Sequence, residues 1–417
     1  MSTVIVGAGQ AGVQLAVTLR KEGYQQRIVL IGDETEPPYH RPPLSKAFLL
    51  GSAAEDTLQL RAESFYRDHA IEVLRGQRVV GIDRSARRVS LANGAQLSWQ
   101  HLVLATGARP RRLGLPGEDL GGVLPLRTAP QARALREHVA SARSVVIVGG
   151  GFIGLEFASA VADRCENVVV LEAGDRLMGR AVTEPVSRFF ARAHADKGVQ
   201  VRFGTRPVEF LGRRGEVTAV RTADHRIHPA DLVVVGVGVL PNDDLADQAE
   251  LAVDGGILVG AGLRTADPGV YAIGDCARFP SVHCDAPVRL ESVQNAVDQA
   301  VHVGRGIVSG QERRYCELPW FWSDQGGLRL QIAGVSAGYD QVQVFGEPAD
   351  GRFSVFAFRR GRLSAVESVN RPAEHVAARR LLSTAGELTA EQAAVPGFNL
   401  RAFVAQASPL ATRSGRC

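Results

Sequence analysis

Two nine-residue stretches of this chain superimpose without a gap: Val4-Ile5-Val6-Gly7-Ala8-Gly9-Gln10-Ala11-Gly12 and Val146-Ile147-Val148-Gly149-Gly150-Gly151-Phe152-Ile153-Gly154. Each is a short buried-strand run feeding a glycine-rich turn, followed by a helical stretch (residues 13–21 and 155–163) and a second β run (27–31 and 168–171). That is a βαβ unit, present twice. One Gly-x-Gly-x-x-Gly is a weak signal, but two in the same strand, turn and helix context are a strong one. Gly7 and Gly149 permit the tight turn, Gly9 and Gly151 let backbone approach a pyrophosphate, and Gly12 and Gly154 let helix pack on strand. The helix N-terminus then meets the phosphate charge, which adds Gln10 and Ala11, and Phe152 and Ile153, to the expected cofactor contacts.

Each unit later offers another apolar strand, residues 102–107 in the first and 232–236 in the second, both ending at glycine. A further strand at 270–275 follows the second unit, so the first domain is expected to be interrupted by the second and resumed afterwards. Pro- and Gly-containing stretches at 108–117 and 236–242 read as the crossover linkers. From Pro319 onward the pattern changes to alternating segments (328–332, 341–345, 353–358, 363–369) that read as an antiparallel sheet, followed by a helix at 373–382. The fold class is therefore α/β, with two nested Rossmann-like dinucleotide-binding domains plus a C-terminal α+β domain. The expected boundaries are 1–110 and 241–317 for the first domain, 111–240 for the second, and 318–417 for the third.

Charge and cysteine usage exclude several classes. Forty-eight Lys+Arg against 44 Asp+Glu leave a net charge of +4, too small to be the footprint of a nucleic-acid binder. No window reaches ~18 uninterrupted apolar residues, and the N-terminal run lacks a basic region before it, so neither a membrane span nor a secretory signal is expected. Cys165, Cys276, Cys284, Cys316 and Cys417 form no Cys-x-x-Cys pair, which argues against a disulfide scaffold or zinc ribbon and for the reducing cytoplasm. His225 with His228, and His283 with Cys284, lack a third ligand, so no metal is assigned.

Two nucleotide sites on one chain, without a triphosphate loop, point to two dinucleotides placed for hydride transfer, one FAD and one nicotinamide. Glu172 stands at the end of its β run, 23 residues after Gly149, where a carboxylate accepts both hydroxyls of an adenosine ribose. This favours NADH over NADPH, with Arg176 nearby to soften the discrimination. In the first unit Asp33 or Glu34 fills the equivalent place.

The stretch Pro38-Tyr39-His40-Arg41-Pro42-Pro43-Leu44-Ser45-Lys46, with both glycine turns, Ala105-Thr106-Gly107, Ala272-Ile273-Gly274-Asp275-Cys276, Glu291-Ser292-Val293 and Pro319-Trp320-Phe321-Trp322-Ser323-Asp324-Gln325, resembles the bacterial FAD-dependent ferredoxin reductases. The resemblance runs through Ser368-Val369-Asn370-Arg371-Pro372 and implies a glutathione-reductase-like fold. It implies that hydride passes from NADH to FAD and that single electrons then pass to a small [2Fe–2S] ferredoxin serving a monooxygenase or dioxygenase. It further implies FAD contacts from residues 7–12, Asp33, Lys46, Val79, Thr106, Gly107, Arg127, Asp275 and Val293. Lys46 is expected near the flavin N5 edge, stabilising charge on the reduced ring, with Glu156 as its partner carboxylate and Trp322 beside the ring. No cysteine precedes Cys165 and no close pair occurs, so electrons are expected to leave the flavin directly rather than through thiols. Arg359, Arg360, Arg362, Arg379 and Arg380 are candidates for steering an acidic partner. The scaffold does not set the acceptor, which leaves an oxidase, a rubredoxin or quinone reductase, and a slow-turnover redox sensor as alternatives. Oligomeric state is left open.

Overall fold

The computed structural model describes residues 2–384 and 386–407; the expected end of the third domain, with Cys417, lies outside them. The first repeat builds a parallel sheet around the strand Ser2–Val6, with Arg27–Ile31 on one side and His101–Leu104 on the other. Ile71–Leu74 extends the sheet outward on the first side and Val270–Ala272 on the second. The second repeat builds the same arrangement around Ser144–Val148, between Asn167–Leu171 and Leu232–Val235, with Gln200–Arg202 and Val123–Pro125 at the edges. Both central strands are covered on both faces, which is why they read as continuous apolar runs rather than alternating ones.

The return strand Val270–Ala272 pairs with His101–Leu104, so the chain leaves the first sheet, builds the second and comes back. The two crossovers are not coil. Ala108–Pro110 and Val239–Pro241 pair antiparallel, so the exit and return segments form one ribbon. Thr106 and Asn242 tighten it, the Thr106 hydroxyl donating to the Asn242 carbonyl at 2.6 Å and the Asn242 amide to the Thr106 carbonyl at 2.8 Å.

The helices after the glycine turns start earlier than the sequence pattern suggests, as Gln10–Lys21 and Phe152–Val161, because Gly9 and Gly151 themselves are the N-cap residues. The strand expected to continue to residue 107 ends at Leu104, and the one expected to reach 275 ends at Ala272. In both places a glycine of positive φ, Gly107 at 68° and Gly274 at 77°, takes the backbone out of the sheet. Two small antiparallel meanders were not expected: Val79–Asp83, Arg88–Leu91 and Gln96–Ser98, and Pro207–Arg213, Glu216–Thr222 and Ile227–Pro229. The second packs Phe210, Val217 and Val220 against Val146, Val148 and Val169 of the second sheet.

The C-terminal sheet is antiparallel, in the order Trp320–Gln325, Leu328–Gly334, Arg362–Val369, Arg352–Arg359, Gln341–Glu347. Its two faces are both apolar. Leu330, Ile332, Phe353 and Val355 meet Val186 and Phe190 of the helix Glu184–Ala195. Ala333, Phe356, Phe358 and Val366 meet Ala377, Ala378 and Leu381 of the helix Pro372–Ser383. The third domain is thereby packed onto the second.

A buried carboxylate sits in that interface. Glu367 accepts the Thr183 backbone N–H at 2.9 and 3.0 Å and hydroxyls of Thr183 at 2.6 Å and Ser336 at 2.5 Å. Burial is the main influence on it and pushes its pKa up to about 7, against the lowering effect of those donors. A folded-state pKa above the unfolded one means that the native protein binds the extra proton between about pH 4.5 and 7, so this group's contribution to stability falls as pH rises through that window. In Glu367→Gln the decline of Tm between pH 5 and 8 should be shallower than in the wild type; parallel Tm curves would refute the assignment.

Candidate active site

The two glycine turns form matched cradles. Gly7 and Gly149 have φ of 115° and 107°, and a Cβ on either would stand 2.1 Å from the Ala105 carbonyl oxygen or 2.4 Å from that of Gly236. A Cβ at Gly12 would meet the Gly7 oxygen at 1.9 Å, and one at Gly154 the Gly149 oxygen at 2.3 Å, so helix and turn touch there. Gly9 and Gly151 are the opposite case: a Cβ on either meets nothing within 4 Å. Those positions face open space at helix starts that have no side-chain cap, which is the geometry of an anion site. The residues present therefore fit a dinucleotide pyrophosphate at each turn. Ala11 is buried in the first helix, whereas Ile153 is 44% exposed and Phe152 packs on Phe321 with centroids 4.5 Å apart.

The carboxylates at the strand ends differ. Glu172 accepts the backbone N–H of Gly150 at 2.7 Å through Oε2 and that of Gly174 at 2.6 Å through Oε1. A carboxylate has about four acceptor positions, so lone pairs remain for ribose hydroxyls. Arg176, which the sequence offered as a softening influence, is turned away: its guanidinium donates to the Val182 carbonyl at 2.6 Å and to that of Gly179. In the first unit Glu34 is taken up by the Tyr39 hydroxyl and by Arg41 at 2.6 Å, while Asp33 is exposed.

Arg127 and Asp275, separated by 148 positions, pair at 2.8 Å. The Arg127 Nε is buried without a partner. Asp275 lies in the short turn Gly274–Cys276 that follows Val270–Ala272. Gly107 lies beside them, a Cβ there being 3.9 Å from the Arg127 guanidinium. Val79 is buried at the start of the first meander, and Val293 opens the helix Val293–Ser309 behind the Ser292 cap. Cys276 is fully buried, its thiol directed at the Leu104 and Ile273 carbonyls, and burial raises its pKa.

Glu156, in the helix of the second unit, is 4% exposed and joins three parts of the chain. Lys46 Nζ lies 3.0 Å from Glu156 Oε1, coming from the turn Pro42–Ser45 of the first domain. The Ser45 hydroxyl donates to Oε2 at 2.7 Å, and the hydroxyl of Ser323, on the edge strand of the third domain, donates to Oε1 at 2.7 Å. Gln325 continues the network, donating to Ser323 at 3.2 Å and accepting from His194 at 3.0 Å, where burial keeps the imidazole below its usual pKa. The carboxylate is thus surrounded by one cation and two hydroxyl donors. Trp322, on the same strand, is half-buried, with Trp320 5.6 Å away and tilted by 36°. Ser45, Ser323, Gln325 and His194 carry no signal of this role in the sequence, because the contacts that join them to Glu156 or across the network span 111 positions for Ser45, 167 for Ser323 and 131 for His194 with Gln325.

The arginines proposed for steering divide. Arg359 and Arg360 reach Asp285 at 3.3 and 3.9 Å, and Arg362 pairs with Glu387. Arg379 lies over the Trp320 ring, 4.2 Å from its centroid. Among the described residues no group of three His, Cys, Asp or Glu side chains is arranged to hold a metal. Among the same residues no helix is long and apolar enough to cross a membrane.

Comparison with known proteins agrees with this geometry. Residues 1–300 match the family described as pyridine nucleotide-disulphide oxidoreductase, and residues 320–404 match the reductase C-terminal family. The chain belongs to the pyridine nucleotide-disulphide oxidoreductases. Rhodocoxin reductase of Rhodococcus erythropolis is 46% identical over 406 residues, covering 97% of this chain and 95% of that protein. Among solved structures, the ferredoxin reductase for the CYP199A2 system of Rhodopseudomonas palustris superimposes with a TM-score of 0.93 at 44% identity, over 97% of this chain and 99% of that one. The covalent putidaredoxin reductase–putidaredoxin complex gives 0.93 at 38% identity, over 98% and 99%. Despite its family's name, this chain has no cysteine before Cys165, so the first cradle carries no thiol pair.

The contrast between glycines gives a test. Gly151→Val puts its side chain into open space and should leave Tm nearly unchanged while abolishing NADH binding. Gly149→Val clashes with the Gly236 carbonyl and should lower Tm by several degrees. Calorimetry and fluorescence titration of both variants decide it; equal losses of Tm would contradict the cradle.

Proposed function

We propose that the chain is an FAD-dependent NADH:ferredoxin oxidoreductase, which delivers electrons singly to a [2Fe–2S] ferredoxin serving an oxygenase. The observation that carries this reading is the pair of cradles on one chain, with Lys46 of the first unit ion-paired to Glu156 of the second and no cysteine before Cys165. FAD, when bound, accepts a hydride and releases electrons one at a time. The protein supplies placement and electrostatics. On this reading Gly9 and the helix start behind it receive the FAD pyrophosphate, while Asp33 serves the ribose and Asp275, braced by Arg127, the ribityl chain. Gly151 and Glu172 receive the nicotinamide dinucleotide, and the tethering of Arg176 keeps its guanidinium from welcoming a 2′-phosphate.

Lys46 is read as the cation that stabilises the reduced ring, and the buried Glu156 carboxylate fixes where its ammonium stands. Trp322 is read as the flat side chain that screens the ring. The kinship with ferredoxin reductases supports the acceptor class, and Arg379, which lies over Trp320, is among the five arginines read as steering an acidic partner. Residence in the cytoplasm is part of the same reading.

Anaerobic stopped-flow absorbance tests the proposal. The yellow protein should be bleached rapidly by NADH and slowly by NADPH, then reoxidised by a [2Fe–2S] ferredoxin. Reoxidation by oxygen alone at the same rate would make it an oxidase, and bleaching without any electron export would make it a sensor. Lys46→Ala should retain FAD but be reduced by NADH about tenfold or more slowly, the loss of roughly one charge-assisted contact. An unchanged reduction rate would remove Lys46 from the chemistry.

A further inference from the structure

Lys46 has a second anionic neighbour. Its Nζ stands 3.0 Å from Glu156 Oε1 and 3.8 Å from Asp324 Oδ2, and the other oxygen of Asp324 lies 3.8 Å from Arg329 Nε. The four charges alternate in sign along a line that runs outward: side-chain exposure is 4% at Glu156, 22% at Lys46, 46% at Asp324 and 59% at Arg329. Local geometry makes the line. Ser323 and Asp324 are consecutive on an edge strand, so one side chain is buried on Glu156 while the next stands at the mouth of the same pair. Asp324 and Arg329 face each other across the turn, as directly paired residues of neighbouring antiparallel strands.

We infer that Asp324 is a positioning residue for Lys46: it holds the ammonium between two carboxylates, and Arg329 sets how much of the Asp324 charge Lys46 feels. This rests on the reading of Lys46 as the cation at the flavin edge. Glu156 and Lys46 cancel each other inside the protein, so the charge that the ring senses is adjusted by the outer two groups. Removing the anion leaves Lys46 more positive in effect and favours the reduced, negatively charged ring. Removing Arg329 returns Asp324 wholly to Lys46 and does the reverse. Because the outer groups are half-exposed, their influence is screened by salt.

The test is the midpoint potential of the bound flavin, measured by equilibrium reduction against a reference dye at pH 7 in low salt. Asp324→Asn should move it to more positive values and Arg329→Gln to more negative ones, both shifts shrinking at 1 M salt, while Asp324→Glu should stay near the wild type. Opposite signs are the signature, since general loosening of the strand moves both variants the same way. Shifts of the same sign, or a flavoprotein whose potential is identical in all variants, would overturn the inference and leave the proposed activity standing. A chain that takes up no flavin would remove both.

Discussion

Everything near the candidate active site depends on where one buried carboxylate is put. Glu156 joins three parts of the chain: it stands on a helix of the second domain and takes Ser45 and Lys46 from the first and Ser323 from the third. An uncompensated charge in that position is expensive, and breaking a buried pair by removing one partner typically costs about 3–5 kcal/mol. The three parts are therefore obliged to meet at one point. The site is assembled by that obligation rather than by any single domain.

The remaining architecture serves the same junction. Duplication of the βαβ unit gives two cradles of the same shape, and nesting one unit within the other brings the chain back to complete the first sheet at Val270–Ala272, just before Asp275. The paired crossovers, locked by Thr106 and Asn242, tie the two nucleotide domains together at their boundary. Glu367 does for the second and third domains what Glu156 does for all three, through Thr183 at the head of the helix Glu184–Ala195. The two repeats differ at their strand ends. Glu172 is oriented by two backbone donors, whereas in the first unit Glu34 is absorbed by Tyr39 and Arg41 and leaves Asp33 exposed.

Much of this is legible in the sequence alone. Apolar runs buried on both faces announced the central strands of both parallel sheets, and glycine spacing announced the cradles, because both signals are local. The nested order and the antiparallel third domain followed from the recurrence and then the change of pattern. The meanders are harder to read because most of their strands are short or largely exposed, and Glu216–Thr222, which buries Val217, Ala219, Val220 and Thr222, stands between two such neighbours. The edge strand Trp320–Gln325 was missed as a strand because its inward positions, Ser323 and Gln325, are polar and buried for the sake of Glu156 and His194. Lys46 and Glu156 were legible only through resemblance, and their serine donors not at all. Contacts that join distant segments leave no period in either one.

The claim that one carboxylate fastens three bodies is tested most directly by hydrogen–deuterium exchange in Glu156→Ala. The account predicts that amide exchange rises together in residues 43–46, 153–158 and 320–325, in three different domains. A rise confined to the helix around residue 156, with the other two segments protected as in the wild type, would contradict it.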